Sequence, residues 1–110
     1  MFVNLCRHAV TVGGVVVPPS GEEARVDTEA RETREVMGVP VQVKSWGVVV
    51  GLPDPVAGTW FLVSGVVLSA LKEQGCRRSD VLAPATSPKD NVLRDSNGQV
   101  AGVTRLDGLV

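Results

Sequence analysis

Apolar and polar positions alternate over short stretches along most of the chain, which is the period-2 signature of strands with one face in a core. Phe2-Val3-Asn4-Leu5 and Val10-Thr11-Val12 read as strands, and Gly13-Gly14 before Val15-Val16-Val17 forms a two-residue hairpin signal. Pro18-Pro19-Ser20-Gly21 then halts the meander, because proline lacks a donor and fixes φ. Between Glu22 and Glu35 nine of fourteen positions are charged, with both signs interleaved. As a strand entering at Ala24, this stretch turns Val26, Thr28 and Ala30 inward and Arg25, Asp27, Glu29, Arg31 and Glu35 outward. As a helix it is capped by Thr28 and ended by Gly38 and Pro40. The strand is the favoured reading.

Val39 to Lys44 alternates again, and Ser45-Trp46-Gly47 separates it from Val48-Val49-Val50, which suggests a second hairpin. Gly51-Leu52-Pro53-Asp54-Pro55 ends that unit, and Ala57-Gly58-Thr59 turns the chain into Trp60-Phe61-Leu62-Val63. A helix is expected at about 64–74. Ser64 is its N-cap, Val67, Ala70, Leu71 and Gln74 share one face, and Gly75 stands just past its end. A short strand at Val81-Leu82-Ala83 precedes a Pro-rich loop ending near Pro88. A closing hairpin then joins Val92-Leu93-Arg94 to the stretch from Gln99 to Thr104 through Asn97-Gly98.

The expected fold is therefore mainly β (α+β), a small meander or barrel-like sheet of short antiparallel strands with one helix packed on it. The 110 residues fit a single domain, 1–110. Composition sharpens this picture: 23 valines, no isoleucine and four aromatic residues favour β-branched packing on pleated surfaces.

A formal net charge of -1 makes a general nucleic-acid binder unexpected, because the attraction to phosphate backbones is missing. No leader pattern opens the chain and no apolar stretch is long enough to span a bilayer, so no membrane partner and a cytoplasmic location are expected. Cys6 and Cys76 lack zinc or redox spacing, and neither a metal nor a cofactor is signalled.

His8 is the sole histidine, and without a recognisable triad, dyad or metal set it is expected to make a structural or ligand contact. On an alternating strand Cys6 would share its face, while Arg7 would point away. A thiolate activated by Arg7 and His8 is the alternative to simple packing. Arg77-Arg78-Ser79-Asp80 follows the helix, where cations complement the negative end of its dipole. The functional alternative is a clamp in which Arg78 and Arg94 grip an anion, with Asp80 and Asp95 orienting their guanidinium planes. The glycines read as turn residues, and Trp46 and Trp60 as core, interface or stacking residues.

The motifs also resemble a family of small proteins from tailed phages, prophages and actinobacteria. Carrying the resemblance are Asn4-Leu5 with His8, Pro19-Ser20-Gly21, Ala24-Arg25-Val26, Gly38-Val39-Pro40-Val41, Gly51-Leu52-Pro53-Asp54-Pro55 with Gly58-Thr59, Val63-Ser64, Arg78-Ser79-Asp80, and Arg94-Asp95 with Gly98 and Gly102. The chain departs from the pattern at Cys6-Arg7, where the family tends to carry Thr-Pro, and at Pro84-Ala85-Thr86, where Pro-Gly is usual.

The resemblance implies a phage-type setting in the host-cell cytoplasm and an accessory protein that binds a host protein, a virion partner or a host signalling molecule. The leading expectation is a non-enzymatic homo-oligomer that holds a small anionic ligand, such as a nucleotide signal of host defence. Its ligand-binding residues would be Asn4, His8, Arg78, Asp80, Arg94 and Asp95. A protein-interaction domain using a valine-rich strand edge stands second. A small hydrolase with His8 as base beside Asp54 stands last.

Overall fold

The computed structural model describes residues 1–86, 93, 94, 96 and 100–110, and for residues 28–31, 44, 93, 100 and 101 the backbone alone. Strand β1 (Phe2–Asn4) is followed by the hairpin β2 (Val10–Val12) and β3 (Val15–Val17), then by the long strands β4 (Arg25–Val36) and β5 (Val39–Val50). Next come β6 (Trp60–Leu62), helix α1 (Gly65–Glu73), β7 (Val81–Pro84), β8 (Leu93–Arg94), β9 (Val100–Gly102) and β10 (Leu106–Gly108).

The protein is mainly β with one short helix, as the alternating pattern predicts, but the sheet is neither a meander nor a barrel. Its central sheet has the order β1-β6-β7-β10, and both β1–β6 and β6–β7 pair in parallel. The reason lies in the connection: β6, α1 and β7 form a βαβ unit, whose crossover returns the chain to the starting end of the sheet. Only β10, a strand the sequence pattern does not announce, runs antiparallel, against β7.

Alternation along β6 and β7 assigns the two faces of this sheet. Phe61, Val63, Val81 and Ala83 join Leu5, Ala24, Val67 and Leu71 in one buried cluster beneath the helix. Leu62 points the other way, to Cys6 and Val10 under the β2–β3 hairpin. The helix ends where expected: Val67 N–H donates to Ser64 Oγ at 3.3 Å, and Gly75 takes φ 81 beyond the C-cap.

Residues 25–36 are a strand, as favoured, but the second hairpin lies elsewhere than expected. Val39–Val50 is one continuous strand, paired with β4 across a turn at Met37-Gly38. Both turn residues have positive φ, 50° and 82°, the geometry of a two-residue turn that matches strand twist. Register shifts between Val26 and Thr28 and between Ala30 and Glu32 mark two irregularities along this ribbon. Part of the closing hairpin is present as β8 paired with β9. Its Asn97-Gly98 turn and Pro88 lie outside the described residues.

Candidate functional site

The predicted site residues divide between the two ends of the parallel strands. At the amino end, each guanidinium nitrogen of Arg78 donates a hydrogen bond within its own chain. Its Nε donates to Asp80 Oδ1 at 3.0 Å, Nη2 to Asp80 Oδ2 at 2.8 Å and Nη1 to the Pro53 carbonyl at 2.8 Å. The guanidinium carbon also stands 5.8 Å from the centroid of the Phe61 ring. Side-chain exposures of 22% and 18% for Arg78 and Asp80 show that little of this pair reaches water.

The hydrogen bonds from Arg78 hold the Asp80 carboxyl below its ordinary range, and the same bonds raise the guanidinium. This corner fastens the 51–59 loop to the sheet. Aspartate thus orients the guanidinium, as the clamp reading requires, but aims it at Pro53 and Phe61.

His8 lies at the other end. It follows Asn4, the last residue of β1, and lines a cleft of about 360 Å³ with Thr11, Pro84, Thr86, Gly102 and Val103. Pro84 ends β7 whereas Asp80 precedes it, so the four residues of β7 separate the Arg78 corner from the His8 cleft by roughly 13 Å. Arg94 belongs to the His8 end: its neighbour Leu93 pairs with cleft-lining Gly102, and β9 contacts β2. Arg78 and His8 therefore do not converge, and Asp95 lies outside the described residues. Asp54, next to the Pro53 carbonyl bound by Arg78, belongs to the opposite end from His8, so the structure does not assemble a His8–Asp54 pair.

Asn4 is buried, 1% exposed, and its amide is spent on the fold. Nδ2 donates to the carbonyls of His8 at 3.0 Å and Val17 at 2.9 Å, while Oδ1 accepts from Cys6 N–H at 2.8 Å. Cys6 and His8 do not share a strand face, because the chain bends after Asn4: Cys6 turns inward and His8 is exposed. Burial, and secondarily Glu23, push the Cys6 thiol above its ordinary value, the reverse of activation. Arg7 is engaged instead with Glu23, Nε to Oε2 at 2.8 Å.

No family model, curated protein or solved structure matches this chain. Among the described residues no group of His, Cys, Asp and Glu could hold a metal ion, and no helix is long and apolar enough to cross a membrane.

The feature that the sequence reading missed is the distal half of the β4–β5 ribbon. Near its base the ribbon rides on the core: Val26 and Val49 pack against the main cluster, and Gln74 Nε2 donates to the Gly47 carbonyl at 2.6 Å. Beyond the base, every described side chain from Glu32 to Val43 is exposed except the half-buried Val41, and Met37 at the tip is 99% exposed. Twelve residues per strand span roughly 40 Å.

Proposed function

We propose that the chain is a non-enzymatic interaction module that engages a protein partner through this projecting arm. The observation that carries the reading is apolar exposure where a monomer has no use for it: Val36, Met37, Val39 and Val43 all stand in water at the far end of a two-stranded ribbon. An isolated two-stranded hairpin is marginally stable at best, and exposed apolar strands are a hazard unless something covers them. Asn4 does not compete as a binding group, because its amide is engaged within the fold, and Arg78 is already held by Asp80 and the Pro53 carbonyl.

Photocrosslinking tests the reading. A benzophenone side chain at Val39 or Val43 should capture a protein in producing cells, whereas the same group at Thr33 or Gln42, on the opposite face, should not. Equal yields from both faces would remove the arm from consideration.

The cleft beside His8 favours a second reading, a small anionic ligand such as a nucleotide. It opens at the carboxyl ends of β1 and β7, where ligands of parallel sheets tend to bind, and offers His8, Thr11 and Thr86 as polar contacts. The host-cell setting and defence signal implied by the phage-type resemblance belong to this proposal. A nucleotide at about 100 times its Kd should add about 2.7 kcal/mol of stability, an effect that His8→Ala should diminish. Lack of a thermal shift and of a bound mass in native mass spectrometry across cyclic and ADP-ribose-type nucleotides would eliminate this reading.

A further inference from the structure

We infer that the partner of the arm is a second copy of this chain, docked face to face across a two-fold axis. This inference rests on the arm reading and goes beyond it by naming the occupant.

Directly paired residues of an antiparallel ribbon point to the same face. The register pairs Glu32 with Val43, Arg34 with Val41 and Val36 with Val39, and these six positions form one face. Thr33 with Gln42 and Glu35 with Pro40 form the other. One face is therefore polar, and the other carries a valine row alongside a row in which opposite charges stand two residues apart. Neither Glu32 nor Arg34 takes part in the ion pairs found among the described residues, Arg7–Glu23 and Arg78–Asp80.

Such a face is complementary to itself. A two-fold axis crossing the strands midway between the 32/43 and 34/41 pairs lays each strand over its own copy, running the opposite way. Glu32 then faces Arg34 of the partner subunit, Arg34 faces Glu32 of the partner subunit, and Val43 and Val41 stack reciprocally. The contact is isologous, as two-fold symmetry requires. Two ribbons stacked about 10 Å apart form a four-stranded sandwich, which relieves the exposure that leaves a lone ribbon marginal. The polar face stays in water. The area is small for a permanent interface, so association is weak and concentration-dependent.

Sedimentation velocity on the full chain, over a wide concentration range, tests the inference. The wild-type chain should move from monomer to dimer. Arg34→Glu should raise the dissociation constant roughly tenfold or more, by setting like charges against each other in both reciprocal contacts. The exchange of charges within the face, Glu32→Arg with Arg34→Glu, should return it to within about threefold of wild type, a rescue that a merely structural role would not give. Thermal unfolding should be similar in all three at concentrations where they are monomeric.

A wild-type chain that stays monomeric throughout, a dimer indifferent to Arg34→Glu, or a failure of the double exchange to restore it would overturn the second-copy inference. Crosslinks from Val39 to a different polypeptide, with a monomeric wild type, would leave the arm reading standing and eliminate only the self-pairing. A monomer that also lacks face-specific crosslinks would eliminate both.

Discussion

Replacing Asn4 with alanine is expected to destabilise the fold by about 3–5 kcal/mol, a large part of the margin of a domain this size. The side chain lies at the carboxyl end of β1 and fixes three backbone segments at once: Cys6 through its amide, and His8 and Val17 through their carbonyls. Alanine leaves the buried Cys6 N–H without the Asn4 acceptor, at a cost of about 1–3 kcal/mol, and takes one donor from each of the His8 and Val17 carbonyls, the latter still paired with Val10 across the hairpin. The methyl group also leaves a void beneath the β2–β3 hairpin. Urea denaturation at neutral pH would measure the loss.

Ser20→Ala provides the scale. It removes the 2.7 Å hydrogen bond from Ser20 Oγ to the Asn4 carbonyl and the longer, exposed contacts of the same hydroxyl with Glu22, whose N–H donates to it at 3.3 Å, all in a more accessible place, and should cost about 1 kcal/mol. If Asn4→Ala costs no more than Ser20→Ala, water replaces the amide and Asn4 is not the staple described above.

Gly51→Ala should be comparably damaging, at about 3–4 kcal/mol, for a steric reason. Gly51 has φ 83°, and an added Cβ would run into the backbone carbonyl oxygen of Glu23 and lie 3.4 Å from Ala24 Cα. These atoms are main chain at the base of the arm, and Ala24 belongs to the buried cluster, so neither side can yield without moving the core. Gly38→Ala separates the two contributions. That glycine has nearly the same φ, 82°, but nothing within 4 Å of the added carbon, so its cost should be only the roughly 1–2 kcal/mol of left-handed backbone. Equal losses in thermal denaturation of the two variants would show that the base of the arm is more compliant than its contacts imply.

Where chemistry is local, the sequence was readable. Ser64, Val67, Ala70, Leu71 and Gly75 announce the helix because capping and a 3.6-residue period act within one segment. The Arg78–Asp80 bond is equally local, two residues apart. The second hairpin was misplaced for a specific reason: Ser45-Trp46-Gly47 has the composition of a turn, but the turn lies at Met37-Gly38, where methionine adopts a positive φ that its side chain does not advertise. Parallel pairing of Phe2 with Trp60 could not be seen, since three-residue strands carry almost no register information.

The proposed convergence of Arg78 with His8 depended on that hidden topology. Once β1, β6 and β7 run the same way, residues that precede a strand and residues that follow one are held apart. The valine row at 39, 41 and 43 was visible as a strand face. Its exposure was not, because alternation reports that a strand has two sides without saying what covers either.

The continuous register from Glu32/Val43 to Val36/Val39 also determines how the arm can change length. Removing two cross-strand couples next to the tip, two residues from each strand, keeps the remaining couples opposite each other and the same kind of pair beside the turn. Deleting a single residue from one strand shifts its partner's neighbours by one place and interchanges inside with outside over the rest of the ribbon. The appendage can therefore shrink or extend in matched steps while the βαβ unit below remains as it is, which makes its reach an adjustable property of this scaffold.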